Sequence, residues 1–276
     1  MSYKFSVNEQ NTHVIFYSSF HVYLKSICHN SLQIKYSYLF PKSSPPLHQV
    51  ELYGQTNLLF IRVVDMYYIW DMSTNKILFR QSVPTLKEIR VSERYLAVCS
   101  EDRIEFLNIK TLCSRFTKDL KISYRMGCCS LSHWDQQTIC AFQSNSSVVS
   151  VWKENQIANL RVSKRMVHHI NVSKRLDILL IAHPSFIVLY NLADFNNIVQ
   201  LRAFHNFPLK EFKFSSFTSE KCCLTDINNM TICLSYYDCT QNSAILHDNG
   251  LYISNGTCIF FITTTGIIKL IEIVKI

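Results

Sequence analysis

The sequence predicts an all-β chain folded as a seven-bladed, WD-repeat-like β-propeller. Three observations carry this. The apolar runs are short, β-branched and aromatic; no stretch keeps helical periodicity over three turns; and one strand–turn–strand unit recurs along the chain.

Taken in order, the strand-like runs begin with "HVIFYSS" (13–19), followed by "NLLFIRVV" (57–64) and "YYIWDM" (67–72). Next come "YLAVCS" (95–100), "RIEFLNI" (103–109), "VVSVW" (148–152), "DILLIAH" (177–183) and "FIVLYNL" (186–192). "CLSYY" (233–237) and "IIKLIEI" (267–273) close the series. Each is bounded by Asn, Asp, Ser or Lys, residues that favour turns. The longest apolar run, "CIFFITTTGIIKLIEIVKI", is broken by a Thr-Thr-Thr-Gly turn and by Lys269, Glu272 and Lys275. It reads as two strands and not as a membrane span.

"YYIWDMSTNKILFRQ" sets the form of the repeat: an apolar-aromatic strand, a polar turn and a second strand. The same form recurs in "RIEFLNIKTLCSRF", "SVVSVWKENQIANLRV" and "SFIVLYNLADFNNIVQLRAF". The aromatic or leucine before each turn gives seven anchors: Tyr23, Trp70, Leu107, Trp152, Tyr190, Leu234 and Leu270. They are spaced by 47, 37, 45, 38, 44 and 36 residues. Four-stranded propeller blades repeat at about 40–45 residues, so seven anchors imply seven blades. One blade cannot bury both its faces, which makes residues 1–276 a single propeller domain.

Composition limits the function classes. Of 276 residues, 48% are hydrophobic and 17% charged, which excludes a disordered chain. The net charge of +8 suits anionic partners: phospholipid headgroups, nucleic acid or acidic peptides. Eleven cysteines include the adjacent pairs Cys128-Cys129 and Cys222-Cys223, whose members face opposite sides of a strand. They read as reduced core residues of an intracellular protein, and the N-terminus lacks a secretory pattern.

No catalytic set can be assembled. The chain has no Gly-rich phosphate loop, no G-x-S-x-G and no H-E-x-x-H. His168 and His169 lie on or beside a strand with their rings on opposite sides and no partner at metal-ligand spacing. Asp65, Asp71, Glu101, Asp102 and Asp226 fall in or beside turns, as structural carboxylates do. The expectation is a binding protein, not an enzyme, with no cofactor and no metal. Two copies of Val-Ser-Lys-Arg place Lys164-Arg165 and Lys174-Arg175 at turns. They suit solvated tips or diffuse attraction to an anionic membrane.

The stretch 52–112 resembles the PROPPIN family, the phosphoinositide-binding seven-bladed propellers of autophagy. "T-N-L-L" leads to a strand closing on Trp70-Asp71, then an Arg-containing tight turn before "Y-L-A-V", then "E-D-R-I-E-F-L-N-I". "HHINVSKRLDILLIAHPSFIVLYNLADFNNIVQLRAF" has the family's fifth-blade layout, and the likeness covers roughly residues 50–235. In that family the fifth blade ends in Phe/Leu-Arg-Arg-Gly. Its two arginines serve two rim pockets for phosphatidylinositol 3-phosphate or the 3,5-bisphosphate. Guanidinium suits the task because its planar fork donates two parallel bonds to a phosphate.

Here the motif reads Leu201, Arg202, Ala203, Phe204. The first arginine is kept and the second is alanine. Ser185 stands in the slot of a family threonine, Val188 in the slot of an arginine, and Thr225 and Asp226 are kept in the next blade without the histidine that follows. The family's long amphipathic loop of the sixth blade is missing from "YYDCTQNSAILHDNG". The resemblance implies lipid contacts at Arg202, Ser185 and Thr225. It also implies a 3-phosphoinositide membrane surface and autophagy-related proteins as partners, no nucleic acid, and a monomer. The expected place is cytoplasmic, peripheral on endosomal or pre-autophagosomal membranes. The alternative is a propeller scaffold that binds proteins without recognising a specific lipid.

Overall fold

The computed structural model describes residues 4–7, 13–28, 31–54, 56–153, 155–162, 166–173 and 177–205, and after 205 the backbone of the strands alone. Side chains are described within 13–26, 33–133 and 135–203 of those ranges, Arg202 excepted.

Every regular element among the described residues is a strand, and the strands pair with their sequence neighbours into seven antiparallel sheets. The first sheet holds β1 (Lys4–Val7), β2 (His13–Tyr17), β3 (His21–Cys28) and β4 (Ser31–Leu39). The second holds β5 (Gln49–Leu52), β6 (Leu58–Val63), β7 (Met66–Asp71) and β8 (Lys76–Ser82). The third holds β9 (Leu86–Val91), β10 (Tyr95–Ser100), β11 (Arg103–Asn108) and β12 (Ser114–Asp119). The fourth holds β13 (Cys129–Trp134), β14 (Gln137–Asn145), β15 (Val148–Lys153) and β16 (Gln156–Arg161). The fifth holds β17 (His169–Val172), β18 (Ile178–His183), β19 (Phe186–Asn191) and β20 (Val199–His205). The sixth holds β21 (Phe212–Phe217), β22 (Lys221–Asp226), β23 (Met230–Ser235) and β24 (Gln241–Ile245). The last holds β25 (Gly250–Ser254), β26 (Cys258–Thr263) and β27 (Ile268–Ile273). The apolar tail is therefore two strands, β26 and β27, as its Thr-Thr-Thr-Gly turn predicts.

The seven anchors fall on the third strand of each of the seven sheets, in order from Tyr23 on β3 to Leu270 on β27. Each faces an apolar residue of the second strand: Trp70 opposite Leu59, Leu107 opposite Leu96, Trp152 opposite Cys140. A register shift separates the anchor from the residue before it where the third strand meets the fourth in three sheets. These lie between Ile69 and Trp70, Phe106 and Leu107, and Leu189 and Tyr190. A bulge bends and twists its strand, so the repeat carries a local kink beside the anchor as well as a hydrophobic side chain.

The chain divides into two compact units, residues 1–126 with three sheets and 127–276 with four. In the first unit, consecutive sheets meet through their first strands: β5 against β1 and β2, and β9 against β5 and β6. One apolar cluster fills the first junction around Trp70, with Ile15, Leu24, Leu59 and Ile61 fully buried. Tyr38 and Phe40 pack on the indole at centroid distances of 4.7 and 5.2 Å, each such pair adding about 0.5–1.5 kcal/mol beyond area burial. A second cluster around Phe60, Tyr67, Ile89 and Leu96 fills the next junction.

In the second unit β17 packs on β13 and β14, and β25 on β21. Its first turn depends on Gly127, at φ +85, whose Cα is so close to His169 that a Cβ would lie 2.7 Å from Nδ1. Among the described side chains, burial falls from the second to the fourth strand in each of the first five sheets. The second strands β10 and β18 are buried along their whole length, whereas the fourth strands β8, β12 and β16 are largely exposed. Ile77 and Leu78 on β8, Ile157 on β16, and Val199 and Leu201 on β20 consequently face solvent.

Asp71 behaves as its turn predicts. Its Oδ1 accepts the Ser73 N–H at 2.8 Å and the Ser73 hydroxyl at 2.6 Å, and Oδ2 accepts Thr74 Oγ1 at 2.8 Å. The two hydroxyl bonds hold its carboxyl below the usual carboxylate range. Among the described residues five cysteines are free thiols, four buried and Cys113 exposed.

Candidate functional site

The sequence-predicted contacts fall on the fifth and sixth sheets. β18 is an apolar strand, Ile178 to His183, buried on both faces. It ends at His183, whose ring stacks on Phe186 at 4.3 Å and whose Nδ1 lies 3.2 Å from the Met166 carbonyl. His183 and Phe186 are register partners, so Pro184 and Ser185 form a two-residue turn with Ser185 exposed at its tip.

β19 then runs back with Ile187, Val188 and Leu189 buried, and β20 pairs with it as the outer strand. Leu189 lies opposite Arg202 and Tyr190 opposite Gln200, which leaves Leu201 as the extra, bulged residue. The bulge sets the local direction of the strand immediately before the arginine. The Arg202 side chain lies outside the described residues. Thr225 is on β22, opposite Lys213 on one side and Thr231 on the other, and its side chain also lies outside them.

Val188 and Ala203 are direct register partners. These are the two positions where the family pattern carries an arginine and this chain does not. Partners on adjacent strands project to the same face, so one face of the hairpin carries a small apolar pair at both positions. Val188 is 6% exposed. An unpaired guanidinium at that depth would carry a large desolvation cost.

The sheet does not put Ser185 beside Arg202. Ser185 precedes the Phe186–His205 pair, and Arg202 sits opposite Leu189, four residues further along β19. At 3.3 Å per residue the offset is about 13 Å along the strand. Thr225 belongs to the following sheet. In that sheet β23 and β24 are separated by residues 236–240, five in all, at the place where family members insert a long amphipathic loop that this sequence is too short to hold. The basic tips at 164–165 and 174–175 lie outside the described residues.

Sequence reasoning missed a polar constellation in the first unit. Glu88 on β9 is 2% exposed; it binds Arg90 Nη2 at 2.5 Å and accepts the Tyr124 hydroxyl. Arg90 also faces Glu51 at 3.7 Å. The Gln49 amide donates to Glu51 at 2.9 Å and to the Ile89 carbonyl at 2.7 Å, and its oxygen accepts the Ile89 N–H. Arg62, pairing with Gln49 across the sheet, donates to the Leu86 carbonyl at 3.2 Å. Burial lowers the Arg62 pKa, and the nearby Glu88 charge opposes the shift. These contacts run between β5, β9 and the segment after β12, so the cluster ties two sheets together, while the buried Arg62 Nε has no partner.

No family model and no curated protein matches the chain. Solved structures do. KlAtg21 in complex with the coiled-coil of AgAtg16 superposes with a TM-score of 0.78 at 13% identity, covering 99% of this chain and 98% of that one. The fold is that of the PROPPIN propellers. Two other structures with that fold agree. Hsv2 of Kluyveromyces lactis gives a TM-score of 0.72 at 10% identity, over 98% of each chain. Hsv2 of Kluyveromyces marxianus gives 0.72 at 10% identity, over 95% of this chain and 88% of that one. The PROPPIN-like likeness is thus one of three-dimensional arrangement with little shared sequence. Among the described residues no helix is long and apolar enough to cross a membrane, and no group of three or more metal-ligating side chains is present.

Proposed function

We propose that this chain is a PROPPIN-like adaptor that brings autophagy or endosomal machinery to membranes bearing phosphatidylinositol 3-phosphate or the 3,5-bisphosphate. Residues 1–276 form a single seven-bladed propeller domain, which works as a monomer without cofactor or catalysis. Arg202 is the retained phosphate contact, and the hydroxyls of Ser185, about 13 Å away along the strand, and of Thr225, on the following sheet, are separate lipid contacts. The protein partner is an autophagy component of coiled-coil type, by analogy with the KlAtg21 complex. The protein is cytoplasmic and peripheral on endosomal or pre-autophagosomal membranes. The observation that carries this reading is the full-length superposition on that propeller together with an arginine kept at the motif position of β20.

The Val188–Ala203 pair favours a second reading, a scaffold that has lost specific lipid recognition. Liposome flotation of the parent and Arg202→Ala separates the two. Specific recognition predicts recovery on 3-phosphoinositide vesicles above that on equally charged plain anionic vesicles, with the excess lost on substitution. A charge-assisted phosphate bond worth about 1.5–3 kcal/mol corresponds to a loss of about 10- to 150-fold in affinity. Equal recovery on both vesicle types would leave the scaffold reading.

A further inference from the structure

The segment that joins the first two sheets, "FPKSSPPLH" at 40–48, is tied at both ends and open in the middle. Phe40 donates its N–H to the Phe20 carbonyl at 2.7 Å, and its ring packs against Tyr38 and Trp70. Leu47 donates to Ser19 at 2.9 Å and is buried, and His48 donates to Arg62 at 2.9 Å. Between these moorings Pro41, Lys42, Ser43, Pro45 and Pro46 are exposed and Ser44 is partly so.

One backbone bond, from the Ser44 N–H to the Pro41 carbonyl at 2.9 Å, shapes the turn, and residues 45–48 have no regular structure. A proline restricts the residue before it to extended backbone. Ser44 is thus biased toward the conformation in which a kinase cleft takes its substrate. Of the six prolines in the chain, only Pro45 follows a serine or threonine; the others follow Phe40, Pro45, Val83, His183 and Phe207.

We propose that Ser44 is a phosphorylation site for a proline-directed serine/threonine kinase. The Ser44 hydroxyl oxygen attacks the γ-phosphorus of ATP and the bond to ADP breaks. The hydroxyl proton passes to the kinase's base, and ADP leaves. The product adds about −1.5 to −2 charges to a chain of net +8, beside the exposed Lys42. Because the moorings at Phe40 and Leu47 carry the packing, the modification changes the local charge and leaves the first two sheets folded. This inference is independent of the lipid reading.

The test incubates the native full chain with ATP and a purified cyclin-dependent or mitogen-activated kinase, then maps phosphate by mass spectrometry. The expected result is about one phosphate per chain on Ser44. It is retained in Ser43→Ala and lost in Ser44→Ala and in Pro45→Ala, with all three variants melting like the parent. The Ser43 variant is the internal control, since Ser43 is the more exposed hydroxyl but lacks a following proline. No incorporation into the native chain, incorporation only after heat denaturation, or equal incorporation into Pro45→Ala would each overturn the assignment.

Discussion

Replacing Glu88 by alanine removes the centre of the polar cluster between the second and third sheets. Two partners lose a charged acceptor: Arg90 at 2.5 Å and the hydroxyl of Tyr124, itself 5% exposed. Breaking a buried ion pair from one side costs about 3–5 kcal/mol, but the Arg90 side chain is 31% exposed and keeps Glu51 at 3.7 Å. Its share therefore falls to about 1–2 kcal/mol, after discounting for solvent. Loss of a charged acceptor for the Tyr124 hydroxyl adds about 1.5–3 kcal/mol. The expected total for Glu88→Ala is about 3–5 kcal/mol. Glu88→Gln keeps an oxygen for Tyr124 and gives up only the charge, so about 1–2 kcal/mol is expected. Urea unfolding followed by tryptophan fluorescence reads both from the shift in midpoint at constant slope. If Glu88→Ala unfolds within about 0.5 kcal/mol of the parent, the cluster does not hold the sheets together.

Gly127→Ala places a methyl group at a backbone conformation that costs L-residues about 1–2 kcal/mol, and against His169 Nδ1. A drop in melting temperature of several degrees is expected in differential scanning fluorimetry, and a parental melt would contradict the geometry. His13 is buried, and desolvation, helped by Lys35, lowers its pKa below 6.5. A group depressed in the folded state stabilises the fold fully above its unfolded pKa, and that contribution is lost as pH falls below it. Urea midpoints should therefore fall on acidification from about pH 7 to about pH 5, and fall less in His13→Gln. Parallel profiles for the two proteins would assign the acid sensitivity elsewhere.

The architecture was legible because its signals are local. Trp70, Leu107 and Trp152 sit before turns that any reader of the chain can see, and the third-strand position of every anchor follows from that phasing. Composition misleads on the fourth strands. "KILFRQ" carries an unbroken Ile-Leu-Phe run, yet Ile77 and Leu78 are exposed, because only pairing order reveals which strand ends the sheet. The Glu88 cluster was invisible for another reason. Gln49 reaches Ile89 across 40 positions and Tyr124 reaches Glu88 across 36, distances at which no spacing rule operates. At the candidate site the missing arginines could be counted from the motif. That Val188 and Ala203 face each other, and that Leu201 bulges before Arg202, depends on register, which the motif does not carry.

The opposition of Val188 and Ala203 bears on which substitutions this face of the hairpin can accept. Were the two positions on separate faces, an arginine could be introduced at either one alone. As register partners they hold each other in place: a guanidinium placed at 188 would meet a methyl group, and one placed at 203 an isopropyl group already packed into the core. Each single substitution is penalised by the partner left in place. A phosphate grip on this face therefore needs both positions changed together, and the Val188–Ala203 pair acts as a lock on the chemistry of the hairpin.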